Sequence, residues 1–123
     1  MKLREWVVSE LKDSSLLSGI VGERVFYLRT GKQVPAPWVM VGSVRTEYER
    51  TKDGLFPSAY EYVVECIAKT AEECDRVTDA VVSVLQGSFV PALGCAENNL
   101  VSRAEDYDFE QEQYVYSITF RAI

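Results

Sequence analysis

A chain of 123 residues suits a single domain, 1–123, that buries roughly two-thirds of its unfolded surface without a disulfide or metal staple. A net charge of -6 and a pI near 4.7 argue against a protein whose main task is gripping nucleic-acid phosphates, which needs a basic footprint. Histidine is absent, so the side chain most used as general base or metal ligand near neutral pH is missing.

Leu3, Trp6, Val7 and Leu11 recur at the spacing of one apolar helix stripe, with Lys2, Arg4, Glu5, Glu10 and Lys12 mostly outside it. Asp13-Ser14-Ser15 stops that helix and caps a short turn over Leu16 to Ser18. Residues 24–28 read as a short strand, and 29–37 as a loop punctuated by Gly31, Pro35 and Pro37. Trp38 to Tyr48 predicts a strand with Trp38, Met40, Val44 and Tyr48 on one face and Val39 and Val41 on the other. A polar connection over 49–58 leads to a second strand whose Tyr60, Tyr62, Val64, Cys66 and Ala68 share a face. The pair reads as an antiparallel hairpin with a long loop.

Thr70-Ala71-Glu72-Glu73 carries the capping-box pattern; Cys74, Val77, Val81 and Leu85 follow at helical spacing until Gly87 ends the helix. Residues 87–97 read as loop. Asn99 to Tyr107 and Gln113 to Ile123 predict two further strands, the last with Tyr114, Tyr116, Ile118, Phe120 and Ala122 on one face. The order helix, short strand, hairpin, helix, hairpin predicts an α+β domain, one antiparallel sheet of about four main strands covered by two helices.

Cys66, Cys74 and Cys95 are odd in number and lack C-x-x-C spacing. That pattern points to reduced thiols, the first two in the core and Cys95 in a loop, rather than to a disulfide or a zinc site. Glu5 and Glu10 interrupt any signal-peptide core, and no apolar run approaches the ~20 residues of a membrane span. No Gly-x-Gly-x-x-Gly, P-loop or Gly-x-Ser-x-Gly element occurs, and no histidine is present to activate the serines. These residues point to no catalytic or cofactor site.

Charge is segregated. Residues 1–69 hold 10 Lys+Arg and 9 Asp+Glu, whereas residues 70–123 hold 3 and 10. Five of those acids, Glu105, Asp106, Asp108, Glu110 and Glu112, fall within eight residues, 105–112. Their spacing misses the EF-hand pattern and lacks its turn glycine. The simplest reading is a solvated tip between the last two strands. The rival is a divalent-cation or ligand site in a small binding domain, enzymatic or not, and an acidic surface that docks on a basic neighbour lies between the two. The basic counterpart comprises Arg29 and Lys32 in the Pro/Gly loop and Arg45, Arg50 and Lys52 along the hairpin. Glu47, Glu49 and Asp53 are interleaved there, so a phosphate-binding patch is disfavoured.

The segments "SSLLSGIVGERVFYL", "PAPWVMVGS", "YEYVVECIAKTAEECDRVTDAVVSVLQG" and "YVYSITFRAI" together resemble the small tail-completion, or tail-terminator, proteins of long-tailed phages and prophages. The best-matching pieces are Val21-Gly22-Glu23-Arg24-Val25, Pro37-Trp38-Val39 and the junction Ala68-Lys69-Thr70-Ala71-Glu72. The resemblance implies a structural, non-enzymatic role in head–tail joining: a homo-oligomeric ring, typically hexameric, at the head-proximal end of the tail tube. Its implied partners are further copies of itself, the tail tube protein and the head connector proteins. DNA passes through such a ring without sequence-specific contact, and the implied location is the bacterial host cytoplasm during assembly and then the virion tail. In that setting Glu105, Asp106, Asp108, Glu110 and Glu112 of one subunit are expected to approach Arg45, Arg50 or Lys52 of the next, or a basic neighbour in the tail.

Overall fold

A computed structural model describes residues 2–28, 34–87 and 97–123. Helix α1 (Leu3–Asp13) buries Leu3, Trp6, Val7 and Leu11, the expected stripe, and the Glu5 carboxylate accepts the Lys2 N–H at 3.4 Å. Helix α2 (Ser15–Val21) replaces the short turn expected over Leu16 to Ser18. Ser14 supplies the cap, its Oγ accepting the Leu17 N–H at 3.2 Å. The helix then runs on, burying Leu17 and Val21, until Gly22 turns the chain with a φ of 64°. Helix α3 (Ala71–Leu85) begins at Thr70, whose Oγ1 accepts the Glu73 N–H at 3.1 Å. It buries Cys74, Val77, Ala80, Val81 and Leu85.

Five strands, β1 (Val25–Tyr27), β2 (Trp38–Thr51), β3 (Gly54–Ala68), β4 (Asn98–Asp108) and β5 (Gln113–Ala122), form one sheet in the order β1-β2-β3-β5-β4. The architecture is α+β as expected, but the sheet is mixed rather than antiparallel, and it has three helices and five strands. β1 joins β2 in parallel, Val25 beside Val39, while the other neighbours are antiparallel. A long-range tether sets that pairing: Arg24 Nε donates to the Pro37 carbonyl at 2.9 Å, and the Val39 N–H donates to the Arg24 carbonyl at 2.9 Å. No local periodicity encodes such a contact.

The hairpin also differs from expectation. Its strands continue through most of the polar 49–58 stretch to Thr51 and Gly54, leaving only Lys52 and Asp53 in the turn. Both faces of that outer ribbon are exposed, so no apolar alternation marks it as strand. An irregularity between Val41 and Val44 moves Val44 away from the Trp38–Met40 face and against the core beside Val39 and Val41.

The core lies between the helices and one face of the sheet. Tyr62, Val64, Cys66 and Ala68 of β3 and Tyr116, Ile118, Phe120 and Ala122 of β5 supply the sheet side, as the alternation predicts. The opposite face has no helix over it among the described residues. Arg29, Lys32 and Cys95 lie outside the described residues, as does most of the 87–97 loop. Among the described residues no helix is long and apolar enough to cross a membrane.

Candidate functional site

Strand pairing places the two charged features at opposite ends of the sheet. Ala68 pairs with Tyr114, next to the β4–β5 turn, whereas Tyr60 pairs with Ala122 and the hairpin runs on alone to Thr51 and Gly54. The 15 residues of β3 span about 45 Å at ~3.3 Å per residue, so the acidic turn and the basic ribbon tip cannot meet within one molecule.

At the acidic end the five carboxylates do not form one tip. Glu105, Asp106 and Asp108 belong to β4, and only Glu110 and Glu112 sit in the turn. Asp108 Oδ1 accepts the N–H groups of Glu110 at 3.0 Å and Gln111 at 3.2 Å, which folds the turn, and Glu112 closes it with a φ of 52°. Alternation then sends Glu105 to the helix side and Asp106 and Asp108 to the bare face. Phe109 stands at the apex, 83% exposed, its ring 4.9 Å from Tyr107, which in turn lies 4.8 Å from Tyr114. An aromatic ledge therefore backs the acidic turn.

Glu105 is held by Arg103, a residue that no sequence motif marks. Arg103 Nη2 contacts Glu105 at 2.9 Å and Asp75 at 2.8 Å, Nη1 reaches Asp79 at 3.6 Å, and the guanidinium lies 5.3 Å from the Tyr116 ring centre. Burial alone lowers the affinity of Arg103 for its proton, but the surrounding carboxylates, Glu105 first, outweigh this and raise it. The hub fastens the outermost strand to α3. Its legible trace in the sequence is the Asp75–Asp79 pair, one helical turn apart on the outer face of α3.

At the other end Arg45 is already engaged, 3.1 Å from Glu47, which also holds Arg121 at 2.8 Å. Arg50 and Lys52 stand exposed near the ribbon tip, and no ion pair among the described residues reaches them. Tyr48, Leu55 and Phe56, large apolar side chains, are exposed along the same ribbon. The tyrosines thus divide: Tyr62 and Tyr116 pack in the core as expected, but Tyr48 faces solvent.

Chemistry of the buried groups is quiet. Burial pushes the Cys66 thiol up to about 12 and the Cys74 thiol to about 11, so both are protonated and unreactive near neutral pH. Among the described residues no three acid or thiol side chains come together to hold a metal ion. The cation-site reading of 105–112 therefore finds no ligand cluster there.

The family described as tail completion protein gp17 matches residues 5–123. No curated protein sequence matches the chain. A solved chain in the structure described as the virion of a native gene transfer agent (GTA) particle has the same fold, with a TM-score of 0.83. That chain is 16% identical, and the match covers 98% of this protein and 92% of the other.

Proposed function

The chain belongs to the tail completion protein gp17 family, a family of structural phage tail proteins, and from that premise we propose that it acts as a ring-forming tail terminator at the head-proximal end of a tail tube. Its role is assembly rather than catalysis, with the tube protein and the head connector as partners. The observation that carries the reading is the family match over residues 5–123; the fold shared with a chain of a GTA virion is in keeping with it.

The separation of the two charged ends supports contacts between molecules. A ring is built from heterologous contacts, in which one surface of a subunit meets a different surface of the next. Arg45 already contacts Glu47, so Arg50 and Lys52, which no ion pair among the described residues reaches, are the cations best placed to meet Asp106, Asp108, Glu110 or Glu112 of another copy or to face the tail. The acidic balance also suits a passage through which DNA slides without sticking.

Negative-stain microscopy of the purified protein, alone and with tail tubes, tests the proposal. Rings, or tubes capped at one end and halted in growth, are expected; tubes that lengthen unchecked in its presence overturn it. Charge reversal in Glu110→Lys with Glu112→Lys is expected to weaken assembly and its resistance to salt while leaving the unfolding midpoint unchanged. Assembly unaffected at every salt concentration removes the acidic turn from the contact.

A further inference from the structure

The helix-free face carries three adjoining hollows at its acidic end, of about 440, 380 and 350 Å³. The central one is walled by Trp38, Ile67 and Val115, with Glu65 and Asp108 beside them. It shares Val34, Gln111 and Gln113 with the hollow on one side, which reaches Lys69, and shares Glu65, Asp108 and Val115 with the other, which reaches Asp106. Together they make a groove running across the strands. Glu65 sits on β3, the middle strand, opposite Met40 and Ser117, and no cation or hydrogen-bond donor among the described residues engages its carboxylate. Carboxylates thus dominate one half of a groove otherwise lined by apolar side chains with Gln111, Gln113 and Ser117, whose one lining cation among the described residues, Lys69, lies at the far end.

That combination selects its occupant. A phosphate backbone is repelled by Glu65, Asp106 and Asp108, and a divalent ion finds no converging set of three ligands among the described residues. A purely apolar segment leaves Glu65 desolvated and unpaired. An arginine satisfies every wall: its aliphatic stem covers apolar surface, its guanidinium stacks on an aromatic ring, and its planar fork binds carboxylates. We propose that the groove receives an extended, arginine-bearing segment of a neighbouring protein, with the stem over Trp38 and Val115 and the guanidinium held by Glu65 and Asp108. The tail-assembly reading supplies the setting, a neighbour within the tail, and already counts Asp106 and Asp108 among its contacts; the groove adds Glu65, the apolar wall and the choice of arginine.

The test is an NMR titration of the ¹⁵N-labelled protein with a blocked hexapeptide containing two arginines, and with the same peptide carrying neutral citrulline instead. The arginine peptide is expected to shift the Trp38 indole and the Ile67 and Val115 amides, with at least a five-fold loss of affinity for citrulline and in Glu65→Gln. Glu10→Gln, on helix α1 and outside the groove lining, stays within two-fold of the unmodified chain. Equal binding of the citrulline peptide, undiminished binding in a folded Glu65→Gln, shifts confined to 109–112, or equally strong shifts with magnesium chloride each overturn the proposal. If Glu65→Gln unfolds, Asp106→Asn carries the same comparison at the other end of the acidic half. Sedimentation scores assembly separately. Rings without peptide binding defeat this groove alone, and peptide binding without capped tubes defeats the terminator reading alone.

Discussion

Tyr62 and Tyr48 belong to the same hairpin and live in opposite surroundings. Tyr62 is fully buried, its ring stacked 5.5 Å from Phe120 and its hydroxyl accepting a 2.6 Å bond from Asn98 Nδ2. Tyr48 is 61% exposed. The inner half of the hairpin has β5 beside it and helices over it; the outer half, past Tyr60, has only the partner strand. A two-stranded ribbon is marginal without further cover, so the outer half contributes little to the fold. Its exposed apolar residues are therefore free to serve contacts.

The widest gap between the halves is expected from Phe120→Ala, which removes the ring stacked on Tyr62 and opens a cavity in the inner half. A loss of about 3–5 kcal/mol, read by urea unfolding, is expected. Asn98→Ala comes next: Asn98 Nδ2 also donates to the Leu85 carbonyl at 3.0 Å, so its removal leaves two buried oxygens unpaired. A loss of about 1–3 kcal/mol should appear in the same measurement.

Alkaline pH probes the buried half from another side. The thiols of Cys66 and Cys74 ionise near 9.0 when unfolded but near 12 and 11 when folded. Both thus favour the protonated folded state: their stabilisation is complete below pH 9 and is lost as pH rises through the folded values. The urea midpoint is expected to fall between pH 9 and 11, less steeply in Cys74→Ala; parallel curves would remove Cys74 from the effect.

The smallest change in stability belongs to the outer half. Tyr48→Ser and Phe56→Ser are expected to leave unfolding within about 0.5 kcal/mol of the unmodified chain and yet to reduce assembly scored by sedimentation. A large loss of stability would show that the ribbon is part of the fold after all, and undiminished assembly would show that its apolar residues serve no contact.

Legibility follows the same division. The α1 stripe, the Thr70 cap, the α3 face and the β3 and β5 alternation were readable because each buries one face against the core, and burial writes its period into the chain. The outer ribbon was invisible for the converse reason: with both faces solvated, no period is needed. The acidic stretch was readable as composition, but not the split that sends Glu105 to Arg103 and leaves Glu110 and Glu112 in the turn. That split depends on where β4 ends, and turn geometry at Asp108 sets the end.

Family membership, the α+β class, the covered face of the sheet and the polarised charge all follow from local pattern and from motifs such as Val21-Gly22-Glu23-Arg24-Val25. The parallel seating of β1, the 45 Å scale that keeps acid and base apart, the Arg103 hub and the groove around Glu65 arise only when distant segments pair. Periodicity records which side of an element is buried. It carries no record of which neighbour does the burying, and in this protein the neighbours decide where a partner has something to hold.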